Sequence, residues 1–396
     1  MKTKADVIIV GAGISGTSAA YYCTKRGQSV IVLEENMIGH GGTSRSSGGC
    51  RHSGREPRDK PLALFAINNI WSTLKEETGV DPEYTKEGSL SYGWTDDHYK
   101  ILSTKVEKTK KEGFEAHLLD KKELLELAPW TSDSVQFACY VPTDGHADPM
   151  KACLAFYKKA RELGCTFITG EKVVRINKVA GKVRGVVTVR GHVYEADKII
   201  VAAAFGSRAI VNTVGIDVPM RNSYVTCWVT EPSPYISGFA YNGMSPTSYY
   251  GHQTRNGSWM FGGSGGQEAF FPGTTTSDYN EALQNSINLS IGAVSADIPL
   301  IGKLKIVRSW TALTDKCNDE APVLGPVDGV PGLILYTASC GIGFCIGPAV
   351  GYVLSELAAD LEPTIDVTSL NLNRFDYMKG NPNYIQRNVV TNQFKW

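Results

Sequence analysis

The chain has 396 residues, enough for two or three domains around a large core, and its 40 Lys and Arg balance 40 Asp and Glu. That balance sets up no field for nucleic acid or an anionic membrane surface, and no apolar run reaches the roughly 18 residues of a membrane helix, so a cytoplasmic protein with a small-molecule or protein partner is expected. Nine cysteines without C-x-x-C spacing speak against a disulfide scaffold and against a zinc or iron–sulfur site, and no metal is expected.

Lys2 and Lys4 ahead of the mostly apolar stretch 5–14 have the order of a cleaved secretory leader, but the glycine spacing supports a different reading. Gly11, Gly13 and Gly16 form G-x-G-x-x-G directly after the β-branched run Val7–Val10, which predicts strand, turn and helix. Ala19, Ala20, Tyr21 and Cys23 continue a helical face, Gly27 suits a helix C-cap, and 29–33 reads as a second buried strand closed by Glu34. This βαβ start points to a dinucleotide. Gly11 permits the tight turn, Gly13 lets the backbone approach a pyrophosphate favoured by the helix N-terminus, Gly16 lets helix and strand pack closely, and Glu34 would hold ribose hydroxyls.

The segment GHGGTSRSSGGCRHSGR, 39–55, is glycine-rich with Arg45, Arg51 and Arg55 and no apolar period. It reads as a functional loop or, more plainly, as a surface linker. An amphipathic helix is expected over 62–77, a short strand over 88–92, and helices around 98–111 and 121–127. TDGHADP, 143–149, introduces a helix over 150–163. GEKVVRI, 170–176, opens a meander with turns at Gly181 and Gly191, and KIIVAAA, 198–204, is a buried strand of the parallel type. Alternating segments at 218–230, 247–251 and 258–262 predict a second, antiparallel sheet, and 333–357 is strand, glycine-rich turn and helix again. The first domain is therefore discontinuous.

Five stretches together, the glycine fingerprint, SSGGCRHSGR, DGHADP, YYGHQTRNGSWMFGG and APVLGPVDGVPGLILYTASCGIGFCIGPAVG, resemble the D-amino-acid oxidase (DAO) superfamily of FAD-dependent amine oxidoreductases. Sarcosine oxidase and the catalytic subunits of proline, hydroxyproline, opine and cyanide-forming glycine dehydrogenases are the most similar in look. The resemblance implies an α/β fold: a Rossmann-type FAD-binding domain from 1–80, 146–215 and 320–396, with an inserted α+β antiparallel-sheet substrate domain from 81–145 and 216–319. It implies FAD contacts from Gly11, Gly13, Ile14, Ser15, Gly16, Glu34, Glu35, Ser46, Ser47, Gly48, Gly49, Val173, Ala203, Gly341, Gly343 and Phe344. The rival for the 341–347 glycines is a packing helix.

Arg51 is the implied carboxylate anchor, because a guanidinium fork takes a carboxylate bidentately; its rival is an ion pair with a structural acid or a flavin phosphate. His52 has a weaker claim. Tyr250 and His252 share one strand face and would line the substrate pocket, or pack between sheet and loop. His146 reads as a domain-junction residue rather than a catalyst, and Tyr84, Tyr92 and Trp310 are ambiguous, core aromatics more often than ligands. Departures from the family pattern matter too. Ala312 stands where sarcosine oxidase has its flavin-linking cysteine, with Cys317 several residues later, so noncovalent FAD is implied. Ile342 replaces a histidine, Cys345 a carboxylate-binding lysine, and Phe205 a glycine. The expected reaction is two-electron oxidation of a neutral amino acid or secondary amino acid to an imine. Electrons would pass to a flavin or iron–sulfur subunit. A hydroxy-acid or polyol-phosphate dehydrogenase and a noncatalytic flavoprotein subunit are the alternatives.

Overall fold

The computed structural model describes residues 3–244, 248–263 and 284–378. Strands Val7–Val10 and Val30–Glu34 are almost wholly buried because both faces of their sheet are covered, which is why they are runs of Val, Ile and Leu rather than alternating. Helix Ile14–Lys25 joins them, with Gly27 at φ +87° just past its end. The sheet continues on either side: in spatial order it is Val323–Pro326, Leu333–Thr337, Lys198–Val201, Val7–Val10, Val30–Glu34 and Thr166–Thr169. All neighbours are parallel except the first pair. Strands from the first 35 residues and from beyond residue 320 thus share one sheet, as the discontinuous reading requires.

An eight-stranded sheet is the second centre, in the order Ile306–Cys317, Met220–Thr230, Trp259–Gly263, Tyr250–Gln253, Ala240–Asn242, Ser89–Gly93, Phe137–Val141 and His117–Asp120. It is antiparallel apart from one parallel pair, Ala240–Asn242 against Ser89–Gly93. Its own core is aromatic, with Trp228, Trp259, Tyr241, Tyr249 and Phe261 fully buried.

The sequence expectation differs locally in three places. The helix expected over 62–77 is broken into Lys60–Phe65, a π-helical stretch Ala66–Trp71, and Leu74–Thr78. The wider turn accompanies Trp71, whose indole N–H donates to the Cys345 carbonyl at 3.0 Å and whose ring packs on Phe344 at 4.9 Å. The strand expected from 247 begins at Tyr250, residue 247 itself lying outside the described residues. The late glycines divide by role. Gly341 sits at φ +78° in the turn before helix Gly343–Ala358, whereas a Cβ on Gly347 would come 2.6 Å from Ile14 Cγ2 and one on Gly351 would overlap Ser18. Those two let the last helix lie directly on the first, sealed where Ser18 Oγ donates to the Pro348 carbonyl at 2.9 Å. No helix among the described residues is long and apolar enough to cross a membrane.

Candidate active site

The three fingerprint glycines have different causes. A Cβ on Gly16 would overlap the Gly11 carbonyl oxygen, and one on Gly11, already at φ +102°, would come 2.5 Å from the Ala202 carbonyl oxygen. Both are demanded by the protein's own packing. A Cβ on Gly13 would meet only Thr43 Oγ1, at 3.2 Å. Packing therefore leaves the space over Gly13 for something else. The helix that starts there has no side-chain cap and no acid in its first turn, so it leaves backbone N–H groups and a positive dipole end for an anion, although the Ile14 N–H already donates to Thr43 Oγ1 at 3.0 Å.

Glu34 closes the second strand with its carboxylate turned back on the turn. Oε2 accepts the Ala12 N–H at 2.8 Å and Oε1 accepts the Asn36 N–H at 2.9 Å, leaving further lone pairs for hydroxyl donors. Burial pushes its pKa up despite those two bonds. Glu35 is instead tied to Lys172 at 3.1 Å on the surface. Val173 begins the adjoining meander strand, next to Glu171, whose N–H donates to the Glu34 carbonyl at 2.9 Å. Ala203 lies beside Gly11 and donates its N–H to Ser207 Oγ at 3.1 Å, and the following Ala204 takes φ +49°. Ser15 is buried at the foot of the helix. Gly11, Gly13, Ile14, Ser15, Gly16, Glu34, Val173 and Ala203 thus fit a dinucleotide.

The loop that follows crosses to the second sheet. Ser46 Oγ accepts the Gly48 N–H at 3.1 Å, Gly48 takes φ +78° against the Ala147 carbonyl, and Gly49–Cys50 pairs with Gly145–His146. Arg45 turns inward and its carbonyl accepts the Trp310 indole N–H at 3.1 Å, so this arginine is a structural strap. From the other side comes the turn before helix Gly343–Ala358. Two non-glycine residues there, Ala338 and Cys340, hold φ +54° because Asp315 fixes them: its carboxylate accepts the Ala338 N–H at 2.8 Å and the Ser339 hydroxyl at 2.9 Å, and its carbonyl accepts the Cys340 N–H at 2.8 Å. Gly343 abuts Ser339, while Phe344 points into the core, leaving its backbone at the helix start. Helix Gly343–Ala358 also lacks a side-chain cap at its N-terminus.

Facing these turns, one register row runs across the eight-stranded sheet as Trp310, Cys227, Gly262, Tyr250, Asn242, Ser91 and Cys139. Arg51 reaches it. Its Nη1 donates to Asn242 Oδ1 at 2.6 Å, and among the described residues no carboxylate pairs with it. Among the described residues, therefore, no structural acid pairs with Arg51. Burial, and then Arg55, pull the Arg51 pKa down. Among the described residues five buried polar atoms around this loop have no partner: Arg55 Nη1, Asp59 Oδ1, Tyr84 OH, His52 Nδ1 and Asn242 Nδ2. Buried polar atoms are normally satisfied, so their clustering suits a polar ligand here. Burial raises Asp59 to about 6.

Tyr250 stands in this row, half-buried and next to Asn242, while its neighbour Tyr249 turns the other way to donate to Asp297 Oδ2 at 2.5 Å. His252 shares the Tyr250 face but not its surroundings. It is stacked on His146 with ring centroids 3.8 Å apart and an interplanar angle of 17°, and burial pushes its pKa down to about 4. The pair is a seam between sheet and loop. His52 is likewise tied down, Nε2 lying 2.6 Å from Thr143 Oγ1 and its N–H donating to Asp144 Oδ1 at 2.9 Å. Tyr92 is a core residue bonded to Thr131. Phe205 packs against the first sheet's core. Asn242, Ser91, Lys105, Asp144 and Asp315 complete the site without having been expected. Asp144 alone lay in a quoted motif; the others carry no local signal, because only sheet pairing and, for Lys105, the packing of its helix bring them to the site.

The family sequence profile described as "FAD dependent oxidoreductase" (DAO) matches residues 6–357. The chain belongs to that family. Its cofactor is FAD, which the open space over Gly13, the uncapped helix starts and the Glu34 lone pairs accommodate. This DAO-family chain is 25% identical to sarcosine oxidase subunit beta of Rhizobium meliloti (strain 1021) over 389 residues, 95% of this chain and 89% of that one. It is 26% identical to the mitochondrial dimethylglycine dehydrogenase of Rattus norvegicus, covering 94% of this chain but 45% of that longer protein. Among solved structures it superimposes on L-proline dehydrogenase from P. horikoshii with a TM-score of 0.86 at 24% identity, covering 96% and 99% of the two chains. Glycine oxidase from Geobacillus kaustophilus gives 0.85 at 20%, covering 94% and 99%. These structural likenesses are likenesses of fold.

Proposed function

We propose that this FAD-dependent oxidoreductase oxidises an amino acid or a secondary amino acid, with sarcosine, proline, hydroxyproline, glycine and opines as the candidate substrates, to the imine, which water then hydrolyses. The observation that carries this reading is Arg51, a half-buried guanidinium in the wall opposite the glycine turns, with an amide as its partner and no carboxylate partner among the described residues. Such a group left without a counter-ion favours an incoming carboxylate. The names of the relatives, sarcosine oxidase subunit and dimethylglycine dehydrogenase, point to the same amine chemistry.

Bound FAD supplies a two-electron acceptor for the hydride from the carbon next to nitrogen. The protein's part is to orient and to exclude water. Arg51 holds the carboxylate, Asn242 fixes the guanidinium, Tyr250 and Trp310 form an aromatic wall, and the Asp315-strapped turn keeps the start of the last helix, with its positive dipole end, in place. His252, stacked and held neutral, serves as packing. We assign 1–80, 146–215 and 320–396 to the FAD-binding domain and 81–145 and 216–319 to the substrate domain, a division supported by the separate strand sets of the two large sheets. Ala312, buried opposite Val225, offers no thiol, which supports noncovalent FAD.

Residues 258–261, Ser-Trp-Met-Phe, include no cation to stabilise charge on oxygen as it is reduced, which favours a dehydrogenase that passes electrons to a partner subunit. The holoenzyme supplied with an amino-acid panel and a dye acceptor should release one carbonyl product per dye reduced. Its substrate-reduced form should be reoxidised by dye much faster than by air-saturated buffer. Turnover of hydroxy acids with none of amines would overturn the reading, and rapid reoxidation with stoichiometric hydrogen peroxide would make the enzyme an oxidase.

A further inference from the structure

Arg51 is not the only cation on the wall. Lys105, from helix Asp96–Lys111, donates its ammonium to Ser91 Oγ at 3.0 Å. Ser91 and Asn242 are direct register partners on adjacent strands, so the partners of Lys105 and Arg51 stand about 4.8 Å apart along one row. The stem of Lys105 crosses the loop that carries Arg51, its Cε lying 3.9 Å from where a Cβ on Gly54 would be. Counted from Tyr250, Lys105 lies one strand beyond Arg51, past the carboxylate end of the pocket and away from the aromatic wall.

Asp144 is close enough for its charge to favour both cations, but it forms an ion pair with neither. Asp144 is occupied: Oδ1 accepts the His52 and Ser53 N–H groups at 2.9 and 3.4 Å, and Oδ2 accepts the Ser53 and Ser89 hydroxyls at 2.5 and 2.8 Å. Asp59 faces the charge of Arg55, the third cation of the loop, which spends its Nε on the Arg51 carbonyl at 2.7 Å. Among the described residues neither Arg51 nor Lys105 has an acid within ion-pair distance, their hydrogen-bond partners being a neutral amide and a neutral hydroxyl.

We propose that the pocket takes a dianionic amine: an amino or secondary amino acid whose α-carboxylate pairs with Arg51 and whose second acidic group pairs with Lys105. This rests on the amino-acid reading above and narrows it. A substrate with one carboxylate brings one negative charge to two cations and leaves the half-buried Lys105 ammonium with a hydroxyl as its hydrogen-bond partner among the described residues. A dianion balances both, and a sequestered ammonium without a counter-ion is costly. Burial, and with it the charge of Arg51, holds the Lys105 pKa below the usual lysine range, a depression that an acid group beside it would offset. Where the resemblance leads one to expect a carboxylate-binding lysine, this chain has Cys345, so the second cation comes from the opposite wall and stands farther along the substrate.

Thioethers that replace the amine nitrogen by sulfur cannot form an imine and report binding alone. The holoenzyme is titrated with thiodiacetate, with its homologue 3-(carboxymethylthio)propanoate, and with monoanionic (methylthio)acetate, and followed by the flavin absorbance change and by thermal shift. At least one diacid should bind the wild type tenfold or more tighter than the monoacid. Lys105→Met should erase that difference by weakening the diacids, and Lys105→Arg, which keeps the charge, should retain it. Equal binding of mono- and diacids by the wild type, or an undiminished preference in Lys105→Met, would overturn the proposal. If the monoacid binds and monocarboxylic amines are oxidised with no gain from a second acid, only the dianion inference fails. If no thioether binds and no amine is oxidised, the amino-acid reading fails with it.

Discussion

The cradle at residues 11–16 and the wall running from Trp310 to Cys139 are linked by the loop that carries Thr43 and Arg51, but they are made in different ways. The cradle consists of backbone and of absent side chains, supplied by consecutive residues, and its shape follows from three glycines and the helix start after them. The wall consists of side chains from six strands, with Gly262 on a seventh, and its chemistry depends on Arg51 and Lys105 arriving from a loop and a helix outside the sheet. A backbone cradle tolerates almost any neighbouring sequence as long as the glycines stay. A side-chain wall can be rewritten one residue at a time, which is how one fold serves different amines.

The sharpest way to break that contrast lies within the cradle itself. Gly16→Ala should yield no folded protein, since the new methyl would overlap the Gly11 carbonyl. Gly13→Val should leave a folded chain without FAD, because only Thr43 Oγ1 is near its side and the volume it fills belongs to the pyrophosphate. Circular dichroism together with flavin absorbance separates the two, and full FAD content in Gly13→Val would remove Gly13 from the site.

At the seam between cradle and wall, the stacked His146 and His252 make a pH-dependent contribution. Burial lowers the His252 pKa from 6.5 to about 4, and lowers that of His146 as well. Between those values the unfolded chain takes up a proton that the folded chain refuses, so stability is fully present above pH 6.5 and falls as the pH drops towards 4. For His252 alone the loss approaches about 3 kcal/mol. Denaturant midpoints measured across that range should show the fall, and His252→Asn should flatten it; an unchanged pH slope in the variant would mean that the seam does not titrate as described.

Within the wall, Arg51→Ala should raise the substrate dissociation constant about tenfold to a hundredfold, equivalent to roughly 1.5–3 kcal/mol for a charged hydrogen-bonding anchor, and leave FAD content intact. Rapid-mixing flavin reduction over a range of substrate concentrations gives the constant, and absorbance gives the FAD content. Loss of FAD in this variant would move Arg51 from wall to cradle.

What could be read in the sequence follows the same division. Gly11, Gly13, Gly16 and Glu34 lie within one βαβ unit, so spacing alone brought them together, and the parallel strands were legible because full burial leaves unbroken Val and Ile runs. Arg51 could be named from its loop, though not its amide partner, since Asn242 lies 191 residues away. Lys105 looks like a solvated lysine on a charged helix until Ser91 and the loop close over it. Period-two alternation put Tyr250 and His252 on one face correctly, but alternation has no term for what packs on that face, and His146 covers one of the two. The break at Ala66–Trp71 was hidden for a similar reason: the Cys345 carbonyl that Trp71 bonds to comes from the far end of the chain.

The most direct measurement is anaerobic mixing of the FAD-loaded enzyme with matched pairs of compounds that share a carbon skeleton and carboxylates and differ only in carrying an amine or a hydroxyl at the reacting carbon. The flavin absorbance should bleach with the amine member at a rate that saturates with concentration, and stay unchanged with the hydroxyl member. Bleaching by the hydroxyl member alone, or by neither across the whole series, would contradict the account.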